Sequence, residues 1–194
     1  MDQVSPEPRN GAPAGPAAGK ARVATVWLGG CSGCHMSFLD MDERLLDLAA
    51  RVEIATTPLT DYKSFEPVDL TLVEGAVANE EHLEHLRHVR RNTRLLVAFG
   101  DCAVTGNVTA LRNLFKLDEV LDRAYRQTSA VVVGMPTGDG VVPRLLERVR
   151  PLHEVVKVDH YLQGCPPSAD EIHAFLTALL DGRLDELPRE RRFG

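Results

Sequence analysis

The chain has 194 residues, of which 44% are hydrophobic and 26% charged, enough for one α/β domain with its own core. Its formal net charge of −6 argues against a nucleic-acid-binding protein, and no apolar run reaches the roughly 18 residues that suggest a membrane-spanning helix. Four cysteines are too few for a disulfide scaffold, and they favour metal-bound thiolates in a reducing compartment.

Both ends of the chain differ from its middle. Residues 1–20 hold four Pro, three Gly and four Ala, and they cannot bury enough apolar surface to offset the entropy of ordering, so we expect a flexible tail. This stretch also lacks the apolar region and the twin-arginine pair of a secretion signal. Residues 183–194 are expected to form a second polar tail, which leaves 21–182 as the folded domain.

In the first half of the chain, the hydrophobic pattern predicts strands that alternate with helices. A buried strand is expected over 22–28, followed by a glycine-rich turn. One helix is expected over 37–50, with Ser37 as its N-cap. The remaining elements of this half are strands at 51–57, 69–73 and 94–99 and a helix at 79–92.

The second half is less regular. It begins with a mostly helical region at 108–126, then a strand-like stretch at 130–134 and a loop. A short helix is expected over 143–149, because proline suits the first helical position, and a strand over 155–158. The last helix, 168–180, opens with the capping box of Ser168 and Glu171. This order predicts a mostly parallel sheet covered on both faces, a flavodoxin-like three-layer α/β sandwich.

The four cysteines lie in short glycine-rich turns that follow predicted strands. Cys31 and Cys34 are in GGCSGCH, Cys102 is in GDCAVTGN and Cys165 is in QGCPPSADE. Because turns that leave the carboxyl ends of parallel strands gather at one edge of a sheet, we expect these thiols to converge. Four thiolates at one point suit an iron–sulfur cluster or a structural zinc ion.

The spacing leaves three interpretations open. A C-x-x-C pair near a β-α-β pattern is compatible with a thioredoxin-type dithiol, with Cys102 and Cys165 as ordinary core residues. A four-cysteine zinc site usually pairs two C-x-x-C turns, and here there is one. A [4Fe–4S] cluster needs one thiolate for each iron, and the small residues Ser32 and Gly33 let the backbone come close to it.

The motifs GCSGCHMSFLDMDE, VEGAV, GDCAVTGN and YLQGCPP resemble the small subunit of [NiFe] hydrogenases, in particular the short one of the cytoplasmic, bidirectional NAD-reducing class. The resemblance implies that Cys31, Cys34, Cys102 and Cys165 bind one proximal [4Fe–4S] cluster. It also implies a partner large subunit that holds the nickel–iron site, and a diaphorase module with FMN and further clusters, where NAD⁺ is reduced. This chain is then a non-catalytic electron-transfer subunit that does not split H₂ alone.

The resemblance also separates this chain from related classes. Periplasmic uptake hydrogenases have longer small subunits with a second half that binds further clusters, whereas here no spare cysteine exists. The related subunit of respiratory complex I has two adjacent cysteines in the first motif, and here Ser32 and Gly33 separate them. An FMN in this chain is possible but not expected, because the cysteine pair occupies the place of a phosphate-binding loop after the first strand.

Several neighbouring residues carry secondary hypotheses. By resemblance Glu74 lies near the cluster, where it positions the interface, moves a proton or simply caps backbone amides. Asp101 is expected to accept amide hydrogen bonds in its turn. For His35 we prefer a surface or interface residue over a donor to a cluster sulfur. We expect His82, His85 and His88 to form a solvated helix face. Trp27 is expected in the core or at an interface, and His160 and Tyr161 at the large-subunit interface.

Overall fold

A five-stranded parallel sheet forms the centre of this computed structural model, which describes residues 19–60, 64–127 and 141–186. The strands along the chain are β1 (Ala21–Trp27), β2 (Val52–Thr56), β3 (Val68–Glu74), β4 (Val77–Asn79), β5 (Thr93–Phe99), β6 (Leu145–Arg150) and β7 (His160–Leu162). The order across the sheet is β2-β1-β3-β5-β7, with every pairing parallel. This is the doubly wound order of flavodoxin-like folds.

Helices cover both faces of the sheet. They are α1 (Gly33–Leu39), α2 (Arg44–Arg51), α3 (Glu80–Arg91), α4 (Asp101–Thr105), α5 (Leu117–Tyr125) and α6 (Ala169–Leu180), with 3₁₀ turns at Asn107–Leu114, Leu152–Glu154 and Leu184–Glu186. The predicted flavodoxin-like three-layer α/β sandwich with a mostly parallel sheet is therefore confirmed. Across the described ranges, no helix is long and apolar enough to cross a lipid bilayer.

Among the described residues, a large hydrophobic core lies on each face of the sheet, and a small third cluster contains Ala24, Ala55 and Val68. On one face, α1, α2 and α6 pack over β1 and β3 through buried side chains that include Phe38, Leu48 and Phe175. On the other face, α3 and α4 contribute Leu86 and Ala103. A buried side chain of the size of Leu or Phe contributes about 1.5–3 kcal/mol, so each helix is held mainly by its apolar face. Because these cores hold the helices against the sheet, they also fix the relative positions of the turns at its edge.

The first predicted helix is in fact two helices. The chain leaves α1 after Leu39 and begins α2 at Arg44, with Asp42 in the left-handed region at φ 52°. The break turns Met41, which is 1% exposed, into the core. Ser37 lies inside α1 and is not its N-cap, because the helix already begins directly behind the first cysteine turn.

The predicted helix at 143–149 is wrong, because β6 is a strand that pairs antiparallel with β4. Side chains from the 3₁₀ turn Asn107–Leu114 hold this strand. Asn113 accepts from the backbone N–H of Val149 at 2.8 Å and donates to its carbonyl oxygen at 2.9 Å. Arg112 donates to the carbonyl oxygen of Leu146 at 2.7 Å. These long-range bonds override the local signal from the proline.

The predicted strand at 155–158 is also misplaced, since the strand at the edge of the sheet is β7. Val155, Val156 and Val158 instead pack against the second core as a loop. Asp159 ends this loop and accepts the backbone N–H of Leu96 at 2.9 Å, and pairing with β5 starts only at the next residue. The predicted strand at 130–134 and most of the predicted tails, 1–18 and 187–194, lie outside the described residues.

Most of the other predicted elements agree with the structure, whereas β4 and α4 were not predicted. The observed bounds of strand β3 and of helices α3 and α6 differ from the predicted ones by a residue or two. Asn79 caps α3 by accepting the backbone N–H of His82 at 2.7 Å. The capping box of Ser168 and Glu171 is present at the start of α6. Of these two caps, only the capping box of α6 was predicted from the sequence, because Ser168 and Glu171 form a recognisable local motif.

Candidate metal centre

The last residues of four neighbouring strands lie side by side across the sheet. Trp27 of β1 pairs with Glu74 of β3, Glu74 with Phe99 of β5, and Phe99 with Leu162 of β7. The chain therefore leaves these strands at one level, and the turns that follow share one edge. Three of these turns carry the predicted ligands, which are Cys31 with Cys34, Cys102 and Cys165.

The side chain of Cys34 is buried against the turn that carries Cys102. A methyl group placed at Gly100 would lie 2.1 Å from Sγ of Cys34, and Gly100 has a φ of +82°. Both observations exclude a side chain at this position. The buried thiol of the first turn thus packs directly on the backbone at the start of the second turn.

The turns of Cys102 and Cys165 are joined by hydrogen bonds. The backbone N–H of Gly100 donates to the carbonyl oxygen of Leu162 at 2.7 Å, and that of Asp101 donates to Gly164 at 2.9 Å. The carboxylate of Asp101 in turn accepts the N–H of Gly164 at 2.8 Å. The expectation that Asp101 accepts an amide hydrogen bond is confirmed, although the amide belongs to the next turn.

A hydroxyl group connects the first helix to the last cysteine turn. Ser37 is 6% exposed, and its Oγ donates to the carbonyl oxygen of Pro167 at 2.5 Å. The bond joins residues that are 130 positions apart, and its burial shields it from competing water. The turns that carry Cys34, Cys102 and Cys165 are therefore linked to one another directly.

The surroundings of Cys34 and Cys102 disfavour the negative charge of a free thiolate. Burial raises the pKa of Cys34 strongly, and nearby negative groups raise it further: Glu74, Cys102, Cys31 and Cys165. Burial likewise raises the pKa of Cys102, and the charges of Cys31 and Cys165 add to this effect. Four thiolates at this edge therefore require a compensating positive charge, which bound metal ions supply.

The metal groups that the sequence leaves open differ in how close together they need the four thiols. In the part of the chain that the structure describes, no three Cys, His, Asp or Glu side chains are grouped so as to hold one metal ion. A tetrahedral zinc site needs its sulfurs within about 4 Å of one another. In a [4Fe–4S] cluster, each of the four irons takes its own thiolate, so the thiols surround a larger volume.

His35 is buried, so the expectation of a surface or interface residue is wrong within this chain. It is 1% exposed, and its Nδ1 lies 2.5 Å from Oε2 of Glu74, which is 3% exposed. Because a carboxylate only accepts, Nδ1 carries the hydrogen. The rings of Trp27 and Phe99 pack against His35, and within the described ranges its Nε2 has no hydrogen-bond partner.

The same carboxylate of Glu74 also holds the backbone of the first cysteine turn. It accepts the N–H of Cys34 at 3.3 Å and the N–H of His35 at 3.0 Å. These are the first amides of α1, which have no partner within the helix. Of the roles considered for Glu74, the capping of backbone amides is the one that these contacts confirm.

The sequence offered no expectation for Asn107, although it contacts a predicted ligand. Its Nδ2 lies 3.2 Å from Sγ of Cys165. The only signal was its place directly after Gly106, at the end of the Cys102 turn, where a non-glycine residue adopts a φ of 38°. Asparagine is common at such turn positions, so the sequence alone does not mark Asn107 as a residue that contacts a ligand.

Other predicted residues lie away from the thiols or at the rim. His85 and His88 are exposed on α3, as expected for a solvated face. His82 is half-buried, and its Nδ1 lies 3.3 Å from the backbone nitrogen of Ala78. Burial lowers the pKa of His82, which favours a neutral ring. Tyr161 is 43% exposed, next to the Cys165 turn.

The fold and this site define a flavodoxin-like α/β domain with linked cysteine turns at the carboxyl edge of its sheet. Residues 31–179, a range that includes all four cysteines, match the family described as NADH ubiquinone oxidoreductase, 20 Kd subunit. The chain belongs to this family.

Relatives within the family include hydrogenase subunits. The chain is 45% identical over 175 residues to the NAD-reducing hydrogenase HoxS subunit delta of Cupriavidus necator, covering 88% of this chain and 83% of the relative. It is 38% identical to a subunit of the F420-non-reducing hydrogenase of Methanothermobacter marburgensis, covering 87% of this chain but only 56% of that relative. The resemblance to the small subunit of NAD-reducing hydrogenases is confirmed.

Solved structures agree with the sequence relatives. A crystal structure of an NAD⁺-reducing [NiFe]-hydrogenase in the H₂-reduced state includes a chain with a TM-score of 0.85 and 45% identity, covering 90% of this chain and 99% of that one. A reduced, active Ni-Fe-Se hydrogenase from Desulfomicrobium baculatum gives a TM-score of 0.55 at 18% identity, covering 89% of this chain and 67% of that one. The second likeness shows the fold alone.

Proposed function

We propose that this chain is the electron-transferring small subunit of an NAD-reducing [NiFe] hydrogenase, in which Cys31, Cys34, Cys102 and Cys165 hold one [4Fe–4S] cluster. The observation that carries the proposal is that the three cysteine-bearing turns leave neighbouring strands at one edge of the sheet and are joined there by hydrogen bonds. When bound, such a cluster takes up and releases single electrons.

In this proposal, the neighbouring residues hold the ligand turns in place before the cluster binds. Gly100 lets the second turn approach Cys34 without a steric clash. Glu74 fixes the start of α1, and Asp101 joins the other two turns. The N-terminus of α6, which begins four residues after Cys165, adds a partial positive charge that favours an anionic group.

The proposal assigns the catalytic chemistry to partner chains. All four cysteines of the sequence are used as cluster ligands, which leaves none for a nickel site. H₂ activation would therefore take place in a large subunit with the nickel–iron centre. NAD⁺ reduction would take place in diaphorase subunits that carry FMN and further clusters, with the whole assembly in the cytoplasm. This chain would pass electrons between the two sites, and no flavin is assigned to it.

Exposed apolar side chains near the cysteine edge support a partner at this place. Trp27 is 38% exposed, Met36 is 60% exposed and Tyr161 is 43% exposed. These residues lie at the end of β1, on α1 between the first turn and Ser37, and on β7. Apolar side chains of this size at one edge are typical of surfaces that another protein covers. We assign this edge to the nickel–iron subunit.

A second candidate is the corresponding connecting subunit of respiratory complex I, which the family description favours. The separation of Cys31 and Cys34 by two residues speaks against it, since the complex I subunit typically has adjacent cysteines. The hydrogenase relative of similar length, which the chain covers to 83%, also favours the first proposal. Co-purification decides between them, because only a hydrogenase partner brings nickel.

The cluster is tested by anaerobic purification of the full chain with its partners, followed by iron, sulfide and zinc analysis. We expect about four irons assigned to this chain. Cys165→Ser should lose or convert this cluster and abolish H₂-dependent NAD⁺ reduction, whereas the surface variant Glu84→Gln should retain both. Stoichiometric zinc without iron, or unchanged NAD⁺ reduction in Cys165→Ser, would contradict the proposal.

A further inference from the structure

The contact between Asn107 and Cys165 points to a residue that adjusts the redox equilibrium of the site. We propose that the side-chain amide of Asn107 donates a hydrogen bond to Sγ of Cys165 and thereby raises the reduction potential of the cluster that this thiolate binds. The inference rests on the proposed function. It assigns a role to a residue that is not itself a ligand, on the basis of a 3.2 Å contact.

The hydrogen-bond direction follows from the chemistry of the ligand. A metal-bound thiolate carries no proton, so its sulfur can only accept. Of the two ends of the Asn107 amide, only the NH₂ group is therefore compatible with a position beside Sγ of Cys165. The structure has Nδ2 on this side, which agrees with the requirement.

The backbone around Asn107 is arranged to present this side chain. Asn107 has a φ of 38°, in the left-handed region that glycine and asparagine tolerate best. Its backbone N–H donates to Oγ1 of Thr105 at 3.2 Å, and that hydroxyl donates to the carbonyl oxygen of Asp101 at 3.0 Å. Glycine would adopt this conformation at lower cost but has no side-chain donor. The contact with Cys165 therefore explains why asparagine occupies this position.

A hydrogen bond to a ligand sulfur favours the reduced state. When the cluster gains one electron, its thiolate sulfurs become more negative and the hydrogen bond strengthens. An upper limit for this effect is the roughly 1 kcal/mol of one whole hydrogen bond, because the bond exists in both redox states and only its change in strength counts. It corresponds to about a fivefold change in the ratio of reduced to oxidised cluster, or about 40 mV for a one-electron couple.

The test uses the full chain, purified anaerobically with its cluster, and an EPR-monitored redox titration with dithionite. Asn107→Gly keeps the left-handed backbone but removes the donor, so the midpoint potential should fall, by at most the amount of that fivefold change. Asn107→Asp keeps the shape and adds a negative charge, so the potential should fall further. Val108→Ala alters the exposed neighbour and should leave the potential unchanged.

Different results would contradict the proposed function and the role of Asn107. If the wild-type chain carries no iron, the proposed function is wrong. If wild type and Asn107→Gly carry equal iron and have equal midpoint potentials, only the role of Asn107 is wrong. Should the variants lose the cluster, pulsed EPR of the reduced wild type with isotopically labelled asparagine nitrogen gives the answer, because a coupling from Asn107 is then expected and its absence overturns the inference.

Discussion

The carboxylate of Glu74 accepts both the ring Nδ1 and the backbone N–H of His35, at 2.5 and 3.0 Å. Both residues are almost fully buried, at 3% and 1% exposed. A buried carboxylate is stabilised only if hydrogen bonds or positive charge replace the lost water. The pair therefore joins the end of β3 to the start of α1, and it fixes the position of the C-x-x-C turn relative to the sheet.

We predict that Glu74→Gln destabilises the folded chain by about 1–3 kcal/mol, because the new NH₂ group faces buried N–H donors and leaves one of them without an acceptor. Denaturant titration of the purified chain measures the loss. Glu84→Gln on the exposed face of α3 is the matched control and should change the free energy of unfolding by less than about 0.5 kcal/mol. Equal unfolding midpoints for the two variants would contradict the role assigned to Glu74.

The energetic link between Glu74 and His35 is testable by a double-mutant cycle. His35→Phe keeps an aromatic ring between Trp27 and Phe99 but removes the donor to Glu74. Since the two residues are in direct contact, the effects of His35→Phe and Glu74→Gln should be non-additive by about 1 kcal/mol or more. Additive losses in the free energy of unfolding would mean that the 2.5 Å contact carries little energy.

Gly100→Ala should abolish the site, because the new methyl group would lie 2.1 Å from Sγ of Cys34 in a backbone of φ +82°. Gly182→Ala is a matched control, since Gly182 has a φ of +68° with nothing within 4 Å of the added methyl. The control should lose about 1–2 kcal/mol for the left-handed backbone and keep its iron. Iron analysis and denaturant titration distinguish the two variants. A normal iron content in Gly100→Ala would contradict the close packing of Cys34 on Gly100.

Asp159 gives a prediction for acid stability. Burial alone would raise its pKa, but the N–H of Leu96 and the guanidinium of Arg90 outweigh that effect and hold the pKa below its ordinary value. The unfolded chain then binds the proton more readily, at a pKa of about 3.9. The stabilisation that ionised Asp159 gives to the folded chain is therefore complete above about pH 4, and it is lost as the pH falls through the folded-state pKa of Asp159.

The corresponding experiment compares Asp159→Asn with wild type by urea unfolding at several pH values. At pH about 7 the variant should be less stable, and the difference should shrink progressively below pH about 4. Asp47→Asn, an exposed substitution on α2, serves as the control and should show no such convergence. A difference that is independent of pH would show that Asp159 acts through shape and not through charge.

Thiol labelling tests the placement of the four cysteines. After chelation and reduction, Cys31 and Cys165 should react rapidly with iodoacetamide because they are exposed, whereas Cys34 should react much more slowly because it is buried. In the iron-loaded protein, all four should be protected together and become reactive together on chelation. Rapid labelling of one cysteine in the loaded protein, measured by mass spectrometry, would remove it from the ligand set.

The sequence predicted those features that depend on local patterns. The strands β3 and β5 are rich in apolar residues, and the capping box of α6 depends on two residues that are close in sequence, so these features were readable. The break between α1 and α2 was missed, because the pattern of leucines continues across it while Met41 turns inward. The strand β6 was missed because its partners, β4 and the side chains of Arg112 and Asn113, are distant in sequence.

For the site, the positions of the four cysteines after predicted strands were sufficient to expect their convergence, because parallel strands release their turns at one edge. The motifs around them were sufficient for the family. The buried pair of His35 and Glu74 and the contact of Asn107 with Cys165 were not readable. Whether a polar side chain is exposed or buried, and which atom it meets, depends on the register between strands and the packing of helices, and these arise only when distant segments come together.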